Sequence, residues 1–179
     1  KESLIYKEPI WDESKEFLDT QTTKATIVRA KIVEEDGYDS SPTISKTYFV
    51  GPTSNRSFTL PVVSIVTDRA NLYNPEIGIA TRDNYRRRGK KWERPLFLEF
   101  FTTSGKKNHE QQVLFRLHGQ ASRNLSQKSL RLYGENNYDS FRSIEYGFFP
   151  DLQGTGTGEP IDQFKTLILR NSGNDWNMT

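Results

Sequence analysis

Residues 116–131 read Arg-Leu-His-Gly-Gln-Ala-Ser-Arg-Asn-Leu-Ser-Gln-Lys-Ser-Leu-Arg, which sets four cations and three serines around a glycine turn between two strand-like runs. Such a turn suits anionic oxygens, because arginine offers a fork of donors and lysine a point charge. A plain solvated hairpin end fits the same pattern, and the residues alone leave both readings open. His118 by itself reads as a packed or surface histidine rather than a catalytic one. A second polar cluster, Arg170, Asn171, Asn174, Asp175 and Asn177, follows an apolar run near the end of the chain. Polar groups at a strand end are either working residues or caps for a following helix. The run Gly154-Thr155-Gly156-Thr157-Gly158 lacks the Gly-Lys-Ser/Thr ending of a phosphate loop and no helical pattern follows it, so it reads as a surface loop. Residues 82–94 carry Arg82, Arg86, Arg87, Arg88, Lys90, Lys91 and Arg94 against Asp83 and Glu93, with Tyr85 and Trp92 among them. This mixture reads as a solvated loop; were it to bind, an acidic protein or a phosphate-bearing ligand is expected before nucleic acid.

The residue inventory narrows the chemistry further. With no Cys and two His, His109 and His118, the 179-residue chain has no thiolate metal site, disulfide or Cys nucleophile, and a multi-His metal site or triad is not expected. Carboxylates, Lys, Arg and hydroxyls must do any work. The 25 Lys plus Arg nearly balance 23 Asp plus Glu. Even with glycine counted, the apolar share falls below the roughly 45–50% of ordinary globular chains, which predicts a modest core. No window approaches the ~20 apolar residues of a membrane span, and no leader opens the chain. A 12% aromatic content and balanced charge argue against disorder. The start on Lys1 and the stop after Asn177-Met178-Thr179 suggest a piece of a larger protein.

The elements that would position these residues are mostly strands. Residues 24–33 and 43–50 are dense in β-branched residues and flank a turn with an Asp36-Gly37 signal, predicting a hairpin. Gly51-Pro52-Thr53-Ser54-Asn55 is a breaker cluster and the expected module boundary. Beyond it, strands are predicted over 60–67, 95–102, 112–118, 128–133, 144–149 and 164–170, with loop chemistry at 68–75 and a turn at Gly105-Lys106-Lys107-Asn108. The fold class expected is α+β, mostly β.

Several separated blocks in one order also carry a resemblance. Leu60-Pro61-Val62-Val63-Ser64-Ile65 opens them, followed by Thr67-Asp68, Asn71-Leu72-Tyr73 and Gly78-Ile79. Then come Glu93-Arg94-Pro95, Glu99-Phe100-Phe101, Arg116-Leu117-His118-Gly119, Ser122-Arg123 and Gln127-Lys128-Ser129. Phe164-Lys165, Leu169-Arg170-Asn171 and Asn174-Asp175-Trp176 close the set. Residues 60–179 thereby resemble the CotH kinase family, named for a bacterial spore coat protein; Gln127 departs from it where a second lysine is common. Residues 1–51 resemble the closing strands of a fibronectin-III or chitobiase-type β-sandwich, through the stretches 6–10, 26–30 and 47–50.

The resemblance implies two domains, 1–51 and a truncated kinase-like 52–179, whose β-rich first lobe is the part present. It implies an exported protein of the cell surface, extracellular space or spore coat that transfers phosphate from ATP to Ser or Thr of a surface or coat protein, with Mg2+ as cofactor. Lys128 would contact the phosphates, with Arg116, Ser122 and Arg123 shaping the nucleotide-binding loop. Asp175 would be catalytic base or magnesium ligand and Asn174 its metal-holding neighbour. A fragment lacking the second lobe is expected to be inactive alone. The readings from other classes are a non-catalytic adhesion or carbohydrate-binding sandwich, using Trp11, Tyr85, Trp92 and Trp176 for sugar stacking, and a structural coat or scaffold component.

Overall fold

Runs of Val, Ile, Thr and aromatic residues favour the pleated, half-buried surface of a sheet over a helix, and the computed structural model of the protein is accordingly mostly β, with several antiparallel sheets. The structure describes residues 2–4, 24–34, 41–50, 58–81, 83–125, 127–135 and 142–171. The strands are β1 (Glu2–Leu4), β2 (Lys24–Ala30), β3 (Ile44–Tyr48), β4 (Val62–Val66), β5 (Arg94–Phe101), β6 (Lys107–His118), β7 (Ser129–Tyr133), β8 (Ile144–Glu145), β9 (Gln163–Phe164) and β10 (Thr166–Leu169). Among the described residues one short helix, α1 (Arg69–Tyr73), and two 3-10 turns, Lys90–Trp92 and Ala121–Asn124, interrupt them. The sheet orders are β1-β2-β3, β10-β7-β6-β5-β4 and β8-β9. Two compact units result, Lys1–Val66 with Phe97–Gln111 and Thr67–Leu96 with Gln112–Thr179.

In the first unit the predicted hairpin strands pair antiparallel from Thr26↔Tyr48 to Ala30↔Ile44. Alternation in β3 turns Ser45 and Thr47 inward while Ile44 and Tyr48 stay exposed. Hydroxyls on the inner face need partners, and Thr47 finds one in Ser64 of β4 at 2.7 Å. Strand β4 pairs with β5 from Val62↔Phe101 to Val66↔Phe97, and Phe49 meets Phe58 and Phe101 edge-on with ring centres 5.0 and 5.1 Å apart. Glu99 of β5 is fully buried. Lys107 lies 3.4 Å from its carboxylate, and Lys107 and Lys46 both pair with Glu110. The boundary cluster 51–55, the turn residues 36–37 and the sandwich-like stretch 6–10 lie outside the described residues.

In the second unit β7 pairs with β6 on one side and β10 on the other, both antiparallel. Val113, Phe115, Leu117 and Leu132 are buried on one face of these strands. Residues 68–75, expected as loop, contain α1 instead. The Asn74 side-chain oxygen accepts from the backbone N–H of Glu76 (2.9 Å) and Ile77 (3.2 Å), ending the helix after one turn, and the chain then buries Ile79 and Ala80. Residues 154–158 form the predicted loop, a turn closed by a bridge between Gln153 and Pro160. The expected strand 144–149 shortens to β8, and beyond it the rings leave the ladder: Tyr146 meets Phe148 edge-on, and Phe148 and Phe149 each meet Phe164 edge-on. The expected strand 164–170 divides at Lys165 into β9 and β10. No helix among the described residues is long and apolar enough to cross a membrane.

Candidate anion-binding site

The loop from β6 to β7 is fixed at several points. Gly119 turns it with φ 101°, a left-handed conformation that L side chains resist, and a Cβ placed there would lie 2.2 Å from the Ser122 hydroxyl oxygen. Residues 121–124 follow as a 3-10 turn. Lys128 Nζ donates to the backbone carbonyls of Arg123 and Leu125, 2.5 Å each, and lies 5.6 Å from the centre of the Tyr85 ring. Burial pushes the Lys128 ammonium down to about 8. At the far end Ser129 Oγ donates to Asn171 Oδ1 (2.7 Å) and accepts from the Asn171 backbone N–H (3.0 Å), while Asn171 Nδ2 donates to the Gln127 carbonyl. The loop is thus tied down by the protein's own hydrogen bonds at its turn and at its far end.

Register brings the cations together. In β6 and β7 Arg116 stands directly opposite Arg131 and His118 opposite Ser129, so strand alternation puts Arg116, His118, Ser129, Arg131 and Tyr133 on the face opposite Phe115 and Leu132. The Arg116 guanidinium lies 5.2 Å from the centre of the Tyr133 ring. Arg123 drops from the loop to only 7% exposure, donating from Nη1 to the Arg87 carbonyl at 3.2 Å. Its guanidinium is lowered from its ordinary value by burial and then by the fields of Arg88, Arg116 and Arg131, against an opposing effect of Tyr133. His118 is lowered for the same reasons, burial first and then Arg131, Arg123, Arg116 and Arg170. Among the described residues none of Arg88, Arg116, Arg123, Arg131 and Arg170 makes an ion pair. Among the described residues the Nε atoms of Arg123 and Arg131 and the Tyr133 hydroxyl are buried without a hydrogen-bond partner, as is Glu99 Oε2 in the first unit.

Of the residues singled out from sequence, Arg116, Ser122, Arg123 and Lys128 therefore belong to one loop and the strand ends that carry it. Lys128 has backbone carbonyls as ligands, so its visible job is to hold the 3-10 turn. Asn174 and Asp175 lie outside the described residues, and no group of three or more His, Asp or Glu among the described residues could hold a metal. The basic stretch is partly built into the fold. Arg94 donates to the carbonyls of Ile77, Lys91 and Glu93, Arg87 and Arg94 lie over the Trp92 ring, and Arg86 joins Lys128 over Tyr85. Arg131 and Tyr133 are functional candidates that motif reading passes over. The alternation Ser129, Arg131, Tyr133 carries their signal once the register with β6 is known. Comparison of the chain with family models, with characterised proteins and with solved structures finds no match in any of the three.

Proposed function

We propose that the chain is part of a phosphotransferase of the CotH kinase type, binding the phosphates of ATP at the loop between β6 and β7 for transfer to Ser or Thr of a surface or coat protein. The observation that carries this reading is a tethered glycine turn bearing Arg123 beside Arg116, Arg131 and Arg170, with no ion pair to any of these cations among the described residues. Phosphoryl transfer depends chiefly on positioning and on neutralising charge at the transferring group. A fixed loop and a cation cluster supply both.

In this reading Arg116 and Arg123 neutralise phosphate oxygens, and the Ser122 hydroxyl donates from the turn. Lys128 keeps the turn in shape and adds its positive charge at the edge of the site. Asp175 and Asn174 keep the roles that the family resemblance implies, base and holder of Mg2+. The export and surface location belong to the same proposal.

The test is a thermal-shift titration of the protein with ATP and magnesium, run beside soluble glycans. Stabilisation by ATP that grows with its concentration, at glycan-independent baseline, is expected. Stabilisation by a glycan and none by ATP would replace this reading with a carbohydrate-binding one. In the longest active form of the protein, Lys128→Ala and Asp175→Asn should each abolish phosphate transfer, and near-normal transfer by either would remove that residue from the site.

A further inference from the structure

We infer that the polar face shared by β6 and β7 is a seat for one tetrahedral phosphate group, held by Arg116, Arg131, Arg123 and the hydroxyl of Tyr133. The seat deepens the phosphoryl-transfer reading by naming the groups that would hold the phosphate, and it adds Arg131 and Tyr133, which no motif assigns. Its binding can nevertheless be measured without any nucleotide.

Three independent features converge on it. Like charges placed directly opposite in an antiparallel ladder repel, yet Arg116 and Arg131 are direct partners. A buried donor without an acceptor is costly, yet Arg123 Nε, Arg131 Nε and the Tyr133 hydroxyl all lack one among the described residues. Burial near other cations disfavours a guanidinium, yet Arg123 is almost wholly buried with Arg88, Arg116 and Arg131 around it. One anion relieves all three costs at once. A carboxylate, planar and singly charged, satisfies one arginine fork, whereas a phosphate offers more acceptors in a tetrahedral array and up to two charges to share among three guanidinium groups. An anion at this face would also oppose the arginine fields that hold His118 below its ordinary value.

The phosphate could be free or the end of a nucleotide, and separate titrations distinguish them. Inorganic phosphate, acetate, ATP and adenosine are each titrated calorimetrically, at matched ionic strength, into the wild-type chain and into Arg131→Gln and Tyr133→Phe. Saturable binding of phosphate is expected, with none for acetate or adenosine. Arg131→Gln should weaken phosphate about tenfold and Tyr133→Phe about threefold, the losses usual for a charge-assisted and a neutral donor. Tyr133→Phe should also melt slightly above the wild-type temperature in chloride, because the hydroxyl it removes is buried without a partner among the described residues. Phosphate binding no better than acetate, or equal phosphate affinity in all three proteins, would overturn the seat. ATP binding that both variants leave intact would overturn the seat while sparing the nucleotide reading; phosphate binding that follows the expected pattern while ATP fails to bind would keep the seat and remove the nucleotide.

Discussion

The two units treat charge in opposite ways. In the first, Lys107 lies 3.4 Å from one oxygen of the buried Glu99, whose other oxygen has no hydrogen-bond partner among the described residues, and Glu110 is met by both Lys107 and Lys46, so each carboxylate has a cation beside it. Burial alone would lower Lys107, but its hydrogen bond and charge interaction with Glu110, helped by Glu99, hold it above its ordinary value. In the second, Arg116, Arg123, Arg131 and Arg170 gather around His118 without an ion pair among the described residues, and two of the guanidinium groups bury unpartnered Nε atoms. A closed charge network does its work within the fold. An open one carries a cost that a ligand of opposite sign would remove. The difference marks the second unit as the place to look for function.

Disrupting the paired network should cost the most. Lys107→Met should destabilise the protein by about 2–3 kcal/mol in urea unfolding, because it leaves the buried Glu99 carboxylate uncompensated. Adding Glu99→Leu should recover most of that loss; a double variant as unstable as the sum of the two singles would show that the pair is not coupled. Next comes the turn at the open site, where Gly119→Ala should cost about 2 kcal/mol through the left-handed backbone and the encounter with Ser122. An unchanged melting temperature would mean that the turn tolerates a side chain and is not fixed as described.

The open network predicts the reverse sign. Arg131→Gln should stabilise the anion-free protein by about 0.5 kcal/mol, by removing one of two opposed like charges, so its melting temperature in chloride should rise where that of Lys107→Met falls. A fall would mean that Arg131 already has a compensating partner. The smallest effect concerns pH. The folded protein holds His118 below its ordinary value of 6.5, so the unfolded chain takes up that proton first and stability falls as pH drops through 6.5. His118→Gln should lose less stability than wild type between pH 7 and pH 5, with His109 present in both proteins as a common background. Parallel curves would detach His118 from the arginine cluster.

Much of this contrast can be traced to patterns in the chain, and part cannot. The β2 and β3 hairpin and the strands β4 to β7 follow from β-branched runs between turn residues, which local propensity determines well. The loop bearing Arg123 and Lys128 was visible as a cationic, serine-rich turn. The helix α1 was not, since Asp68, Asn71 and Asn74 favour loops, and only the capping bonds of Asn74 and the burial of Ile79 and Ala80 make one turn worth forming. Nor could sequence show that Arg131 faces Arg116, because register depends on how two strands align. The hold of Lys128 on two carbonyls was likewise hidden, since it depends on the path of the 3-10 turn rather than on residue type.

If the open cation cluster receives the phosphates of a nucleotide, calorimetric titration of magnesium–ATP into the chain should give saturable heat, adenosine should give none, and ATP binding should weaken as added salt screens the arginines. ATP heat indistinguishable from that of adenosine would contradict that role for the cluster.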